Sequence, residues 1–187
     1  MSSPITILGI PGSLRKGSFN RMALTAAQKL VPPGTVLEIT ELADIPPFNQ
    51  DDEANVPEAV TKFKQRIRAA DAILFSTAEY NYGIPGVLKN AIDWGTRPQG
   101  DNSWNDKPVA LMGATPGPYG TSRAQLLMRP LLTFLNMHTV NQPEVLISKA
   151  HEKFDTTGNL TDDTTKKLIA KLLENLVSWT ERLKTGK

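Results

Sequence analysis

Three short polar segments contain the residue types best suited to binding a ligand. The first, PGSLRKGSFN at positions 11–20, combines hydroxyl, guanidinium and amide groups where a helix is predicted to begin near Ser18. A helix N-terminus presents unpaired backbone N–H groups and a partial positive charge, so it attracts anions. We therefore expect Ser13, Arg15, Ser18 and Asn20 to bind a phosphate group. A helix cap followed by a solvated basic turn is the alternative interpretation.

This first segment matches neither of two common nucleotide-binding motifs. It lacks the GxxxxGK[ST] pattern that cradles a nucleoside triphosphate, and it lacks the GxGxxG pattern of dinucleotide-binding folds. A phosphomonoester held by side chains and a helix terminus is the better prediction.

The second segment, TAEYNYGIPG at 77–86, is longer than the 2–6 residues usual between a strand and a helix. Asn81 and Gly83 suit unusual backbone angles, while Tyr80 and Tyr82 offer flat surfaces with polar tips. These features predict a wall for a planar heterocycle, although a long turn with packed tyrosines is the alternative. Glu79 fits either a buried orienting role or an exposed charge.

The third segment, TPGPYG at 115–120, is rich in glycine and proline and precedes another predicted helix. Its simplest interpretation is a rigid turn. Beside the other two segments, it is positioned to close over the opposite edge of a planar ligand, where its backbone N–H groups would stabilise negative charge on the ring.

Short apolar runs alternate with helical patterns along the whole chain. Continuous apolar runs predict strands buried on both faces, and the more alternating second run predicts an edge strand. The predicted strands span residues 5–10, 36–42, 72–76, 109–114 and 144–148.

Five amphipathic stripes predict helices between and after these strands. Pro85 suits the start of the third helix and Gly95 its end, Pro130 predicts a kink in the fourth, and Thr161 is the expected N-cap of the fifth. The stripes are Ala23/Ala26/Ala27/Leu30, Val60/Phe63/Ile67/Ala70, Val87/Leu88/Ala91/Ile92, Ala124/Leu127/Leu131/Leu135 and Leu168/Leu172/Leu176/Trp179/Leu183.

This alternation predicts one α/β domain over residues 1–187, with helices on both faces of a doubly wound parallel sheet. Five strands fit the flavodoxin-like order 2-1-3-4-5 better than the larger dinucleotide-binding order. Ligands of such sheets bind beyond the carboxyl ends of the strands, at the switch point between strands 1 and 3. The three polar segments all follow strands that end there.

The composition of the chain excludes or disfavours several classes of partner and site. The net charge of +2 gives no argument for nucleic acid or an anionic membrane, and the absence of cysteine excludes disulfides and thiol catalysis. His138 and His151 are far apart in sequence, which disfavours a histidine-rich metal site. No run approaches the ~20 apolar residues of a membrane span, and MSSP leads directly into ITILGI without a signal-peptide pattern. We expect a cytoplasmic protein.

At these motifs the sequence resembles a known family. GSLRKGSFN at 12–20, EYNYGIPGVLKNAIDW at 79–94 and KFDTTGNLTD at 153–162 are similar to the NADPH-dependent FMN reductases, and most similar to the bacterial chromate/quinone reductase branch. One departure is Ala78, where the family often has proline. The resemblance covers essentially the whole chain. It implies a flavodoxin-like fold, bound FMN, and NADPH or NADH as the reductant of small acceptors such as quinones, azo dyes, chromate or free flavin.

By position, the resemblance also implies which residues contact the cofactor. The phosphate and ribityl chain would be held by Ser13, Arg15, Ser18, Phe19 and Asn20. The isoalloxazine would contact Glu79, Tyr80, Asn81 and Tyr82, and its pyrimidine side would meet Thr115, Pro116, Gly117, Tyr119 and Gly120. Family members are commonly dimers or tetramers, which makes Tyr82, Arg123 and Glu144 candidate interface residues.

The implied mechanism is a ping-pong cycle in which NAD(P)H delivers a hydride to flavin N5, leaves, and is replaced by the acceptor. No side-chain nucleophile or metal is required. The main competing hypothesis is a non-enzymatic electron carrier of the flavodoxin type, although such carriers are usually strongly acidic. A binding or regulatory module on the same fold is a second alternative. A phosphate-accepting receiver domain is disfavoured because no paired aspartates follow the first strand.

Overall fold

A computed structural model describes residues 4–186 of the chain. The predicted domain spans residues 1–187, so Met1–Ser3, which begin the segment MSSP, and Lys187 at the other end lie outside the described residues. Strands and helices alternate as predicted up to the fourth α-helix. The strands are β1 (Ile5–Pro11), β2 (Thr35–Ile39), β3 (Ala72–Ser76), β4 (Pro108–Ala114), β5 (His138–Thr139) and β6 (Val145–Ile147). The helices are α1 (Phe19–Gln28), α2 (Glu58–Ala69), α3 (Gly86–Trp94), α4 (Ser122–Phe134), α5 (Ala150–Lys153) and α6 (Asp163–Thr185), with a 3₁₀ helix at Gln50–Asn55.

All strand pairs in the sheet are parallel, and its order is β2-β1-β3-β4-β5, with β6 also paired to β4. The predicted flavodoxin-like order is therefore confirmed. Because β1 lies between β2 and β3, the chain changes direction across the sheet after β2. The carboxyl ends of β1 and β3 consequently flank the switch point at which ligands of such sheets bind.

The fifth strand differs from the prediction because it is split into two short pieces. β5 pairs with Pro108 and Val109 at the start of β4, and β6 pairs with residues 112–114 at its end. Pro143, between the two pieces, has no backbone N–H to donate to a ladder. β6 is the part of the predicted 144–148 strand that forms.

The second strand is shorter than the predicted 36–42, since pairing with β1 ends at Ile39. Its alternating burial and its place at the sheet edge are confirmed. Leu42 lies beyond the strand but is only 3% exposed and packs in the core.

Two hydrophobic clusters cover the two faces of the sheet. One contains the inward side chains of α1 and α6, such as Leu24 and Leu172, and the other contains those of α2, α3 and α4, such as Phe63 and Leu88. Neighbouring residues of one strand belong to opposite clusters, which explains why the strand sequences are apolar throughout. No helix within residues 4–186 is long and apolar enough to cross a membrane.

The buried faces of two helices were predicted only in part: Ala124 and Leu135 of the α4 stripe and Leu172 and Leu176 of the α6 stripe are buried, but other members are not. In α4 the buried residues are Ala124, Gln125, Met128 and Leu132, and in α6 they include Ile169, Leu172, Leu173 and Leu176. Leu127 is 51% exposed and Leu168 is 38% exposed. Because leucine occurs on both faces of these helices, apolarity alone does not identify the side that meets the sheet. Pro130 lies inside a continuous α4, so the predicted kink is untested.

The predicted helix ends agree with the structure except at α6. Pro85 directly precedes α3, and Gly95 is its C-cap. Asp162 is the N-cap of α6 and accepts a hydrogen bond from the Thr165 N–H, whereas Thr161 was predicted. The Thr161 N–H and hydroxyl both donate to the Lys153 carbonyl instead, which holds this residue against the preceding helix.

Candidate functional site

A cleft of about 280 Å³ lies beyond the carboxyl ends of β1, β3 and β4, close to the lower limit for small-molecule sites. Residues from all three predicted segments meet there. The cleft is lined by Ser13, Arg15, Ser18, Phe19, Asn20, Ala78, Glu79, Tyr80, Ala114, Thr115 and Pro116. Ala78 and Ala114 were not predicted as site residues because an alanine side chain has no functional group to signal a role. Five predicted residues lie outside this lining: Asn81, Tyr82, Gly117, Tyr119 and Gly120. The cofactor contacts of all the predicted site residues, inside the lining or outside it, remain predictions.

The loop that is predicted to bind phosphate, residues 12–18 and called the phosphate loop below, ends in the predicted helix cap. The Ser18 hydroxyl accepts a hydrogen bond from the Arg21 N–H at 3.3 Å, and the Ser18 N–H donates to the Arg15 carbonyl. The first turn of α1 contains no acidic residue, so its partial positive charge is not offset. Arg15 is exposed at the same end of the cleft. Together these groups provide the donors and positive charge that a phosphate requires.

Most of the hydrogen-bonding capacity of the Asn20 side chain is used by other parts of the protein. This residue is 3% exposed, and its Nδ2 donates to the Ala114 carbonyl at 2.9 Å. Its Oδ1 accepts from the Ala114 N–H at 2.8 Å and from the Ser76 hydroxyl at 3.1 Å. Asn20 therefore ties α1 to the ends of β3 and β4, and one N–H of its amide is left for a ligand.

The aromatic loop, residues 77–85, lies directly against the phosphate loop. A Cβ added to Gly12 would lie 3.1 Å from the Thr77 Cα and 3.2 Å from the Ala78 nitrogen. Glycine at this position allows the two loops to approach, and the Ser13 hydroxyl lies 3.5 Å from the Tyr80 hydroxyl. This contact between the two loops therefore fixes the position of one end of the cleft relative to the other.

The aromatic loop contains a tight two-residue turn. Tyr80 and Gly83 exchange backbone hydrogen bonds, and the two residues between them, Asn81 and Tyr82, have φ of 50° and 67°. Positive φ at both central positions is the type I′ geometry. The unusual backbone angle predicted for Asn81 is confirmed. The second residue with a positive φ is Tyr82, whereas Gly83 was predicted. A tyrosine in this conformation costs about 1 kcal/mol or more, so its surroundings must hold it there.

Glu79 is a partly buried residue that is held by hydrogen bonds, which is closer to the orienting role than to the exposed charge left open by the sequence. Its Oε2 accepts from the N–H groups of Arg123 and Ala124 at 3.0 and 3.1 Å, and its Oε1 accepts from Arg123 Nη1 at 3.2 Å. The N-cap residue of α4, Thr121, is left-handed and makes no side-chain cap. Glu79 therefore caps α4 from a different loop, where a carboxylate also suits the helix dipole.

The Arg123 guanidinium is held between two tyrosine rings. It lies 3.9 Å from the centroid of Tyr82 and 4.1 Å from that of Tyr119, distances typical of cation–π contacts. Burial acts to lower the pKa of Arg123, but the hydrogen bond with Glu79 and the neighbouring Tyr82 outweigh it, so the pKa is raised. This stack connects the aromatic loop to the third loop, residues 115–121.

The third loop is fixed against β6. The Thr115 N–H donates to the Ile147 carbonyl, and the Gly117 N–H donates to the Thr115 hydroxyl at 3.3 Å. Gly120 has φ of 58°, and a Cβ there would lie 2.5 Å from the Leu146 carbonyl carbon, so no larger residue fits. The expected donation to a ligand ring is therefore not available from Thr115 or Gly117, and Pro116 has no N–H to offer.

The candidate interface residues are only partly brought together. Tyr82 and Arg123 are in contact, whereas Glu144 is exposed just before β6. Within residues 4–186, no group of three or more His, Cys, Asp or Glu side chains is arranged to hold a metal ion.

The sheet order, the phosphate loop after β1 and the aromatic loop after β3 define a flavodoxin-like protein. FerB, a flavoenzyme NAD(P)H:(acceptor) oxidoreductase from Paracoccus denitrificans, has a similar structure, with a TM-score of 0.88 and 37% identity over 95% of this chain and 98% of that one. The chain belongs to the NADPH-dependent FMN reductase family, whose sequence model matches residues 5–152. The predicted fold and family are both confirmed.

Two relatives have similar sequences over nearly their full lengths. An NAD(P)H-dependent FMN reductase of Pseudomonas aeruginosa is 49% identical over 98% of this chain and 100% of its own. A quinone reductase of Pseudomonas putida is 40% identical over 96% of both chains.

Proposed function

We propose that this chain is an FMN-dependent NAD(P)H oxidoreductase that passes a hydride from NAD(P)H through bound FMN to small acceptors. The acceptor class includes quinones, azo dyes, chromate and free flavin. The observation that supports this most directly is the cleft itself, which has the N-terminus of α1, free of acidic residues and suited to an anion, at one end and the aromatic loop at the other. The names of the similar reductases agree with this activity.

The residues of the cleft fit FMN by their donor chemistry. Ser13, Arg15 and the N-terminus of α1 would hold the phosphate, and Phe19 would border the ribityl chain. Tyr80, which is 55% exposed beside the cleft, offers an uncommitted flat surface for the ring. The bound flavin supplies the redox chemistry, and the protein supplies binding, orientation and charge.

The side chains lining the cleft are suited to holding a cofactor rather than to moving protons. Glu79 is the only carboxylate in the lining, which contains no histidine, and both Glu79 oxygens accept hydrogen bonds from α4 or Arg123. Hydride transfer needs no such proton donor. The chain's own contribution is therefore to fix the ring and to leave one side of it open to NAD(P)H and then to the acceptor.

The proposed enzyme acts as a homodimer or homotetramer in the cytoplasm, through an interface that includes Tyr82, Arg123 and Glu144. In support, Tyr82 is 67% exposed next to α4, whose outer face carries exposed apolar side chains. Leu126 is 60% exposed, Leu127 51% and Phe134 87%. A second copy of the chain would cover this surface, and sedimentation of wild-type protein and of Phe134→Lys tests it. A monomeric wild type would contradict the interface.

Anaerobic reduction tests the activity. Protein loaded with FMN is expected to lose its visible flavin absorbance on addition of NADPH or NADH, and to regain it when a quinone is added. Steady turnover with small quinones and no protein partner would separate an enzyme from an electron carrier. A chain that retains no flavin, or whose flavin neither nicotinamide reduces, would contradict the proposal.

A further inference from the structure

The aromatic end of the cleft contains a carboxylate whose charge is balanced by its neighbours. Glu79 lines the cleft, and its side chain is 11% exposed. An uncompensated negative charge there would oppose a ring that gains electrons on reduction, since like charges at short range in a partly buried site repel strongly. The N-terminus of α4 offsets part of this charge, and within residues 4–186 Arg123 provides the one full positive charge that is paired with Glu79.

We propose that Arg123 is a positioning residue that neutralises Glu79 and thereby sets both the affinity of the cleft for FMN and the reduction potential of the bound flavin. This inference rests on the proposed function, because it concerns the charge met by the same cofactor. Arg123 is not among the residues that line the cleft, so it acts through Glu79.

The tyrosine stack explains why this cation stays in place at a solvent-accessible site. Tyr82 comes from the aromatic loop and Tyr119 from the third loop, and the guanidinium lies between their rings at 3.9 and 4.1 Å. A planar guanidinium can stack on two rings and still donate to a carboxylate, which a lysine ammonium does less well. Tyr82, which makes this contact, has a left-handed backbone conformation. We expect Arg123→Lys to be intermediate between wild type and Arg123→Leu.

A four-protein cycle tests the inference: wild type, Arg123→Leu, Glu79→Gln and the double variant. FMN binding to the apoprotein is measured by quenching of flavin fluorescence, and the potential of bound FMN by equilibration with reference dyes. Arg123→Leu should bind FMN about tenfold more weakly and shift the potential to more negative values. Glu79→Gln should shift the potential in the opposite direction, because a cation then faces a neutral amide that still accepts from α4.

The double variant distinguishes the electrostatic effect of Arg123 on Glu79 from a purely structural role of Arg123 in supporting the loops. If Arg123 acts by neutralising Glu79, adding Glu79→Gln to Arg123→Leu returns the potential and most of the affinity toward wild-type values. If Arg123 only supports the loops, the double variant is at least as impaired as the single one, and the inference is overturned. Arg129→Leu is the matched control: it removes an arginine from the same helix, bonded to Asn141 and away from the cleft, and should change neither quantity.

Two further results distinguish a failure of the proposed function from a failure of this inference alone. Wild-type protein that binds no FMN would overturn the proposed function and this inference together. Normal flavin reduction in all four proteins, with identical potentials, would overturn the inference alone. Sedimentation of each variant shows whether Arg123→Leu also alters assembly, and a potential that follows the oligomeric state rather than the charge at position 79 would likewise contradict the inference.

Discussion

The Asn20 side chain and the Ala114 backbone form a two-way hydrogen bond, with Nδ2 donating to the carbonyl at 2.9 Å and Oδ1 accepting from the N–H at 2.8 Å. This pair joins the start of α1 to the end of β4 in the lining of the candidate cleft. A side-chain amide carries a donor and an acceptor side by side, so it can pair with both the N–H and the carbonyl of one residue.

Replacing Asn20 should therefore destabilise the fold. In Asn20→Ala both backbone groups of Ala114 lose their partner in a buried site, which should lower the free energy of unfolding by about 2–4 kcal/mol. Denaturant titration measures the change. Asn141→Ala, which alters an exposed asparagine, is the control and should stay within about 0.5 kcal/mol of wild type. Equal stability of the two variants would show that the Asn20 bonds contribute little.

Arg15 should recognise the phosphate of FMN and not its ring. Arg15→Ala is expected to weaken FMN binding about tenfold through loss of a charge-assisted hydrogen bond, while the affinity for riboflavin stays unchanged. Comparing the two ligands by fluorescence quenching isolates the phosphate contribution. Lys16→Ala, a neighbouring exposed cation that does not line the cleft, is the control. An equal loss of affinity for both flavins would assign Arg15 to the ring instead.

Lys64 should be important for the loop between α3 and β4. Its ammonium is buried, with its side chain 3% exposed, and it bonds Asp101 Oδ2 at 2.7 Å together with the carbonyls of Asp101 and Arg97. Lys64→Met removes these hydrogen bonds, while Asp101, whose side chain is 48% exposed, keeps its ion pair with Arg68; the substitution should therefore cost about 1–3 kcal/mol in thermal or chemical unfolding. Lys62→Met on the same helix removes an exposed ion pair and should have little effect. A Lys64→Met variant as stable as wild type would contradict this prediction.

Acid should weaken the turn around Asp155. Hydrogen bonds from Thr157 and from the Asn159 N–H lower the pKa of Asp155 to about 2. Because the folded pKa lies below the unfolded value, the ionised carboxylate stabilises the fold above about pH 4, and this contribution is lost as the pH falls through 2. Asp155→Asn should therefore melt at a lower temperature than wild type at pH 6, with the difference shrinking toward pH 2. A difference that does not depend on pH would contradict the assignment.

Much of the fold followed from local patterns. Five apolar runs and the helical periods between them were sufficient for the strand order, because a sheet buried on both faces and right-handed crossovers leave few topologies. The split of the last strand was missed, since it depends on the pairing of two short segments with different ends of β4. The buried faces of α4 and α6 were predicted only in part, because both helices carry leucines on more than one side.

The features of the candidate site also fall into those that could be predicted from the sequence and those that could not. Ser18 as a helix cap and the approach of three loops to one cleft were predictable, because a cap is a local interaction and the sheet brings the ends of its parallel strands together. The roles of Asn20 and Glu79 were not, since their partners are 94 and 44 residues away in sequence.

By itself, the sequence determined the order of elements and the residue types available at the switch point, because periodicity and turn chemistry are encoded locally. Only the tertiary structure decided which of those polar groups remain free for a ligand and which are consumed by the framework. Hydrogen-bond partners are chosen by proximity in space: Asn20 is largely used by β4, Glu79 is used by α4, and Arg15 is left exposed at the cleft.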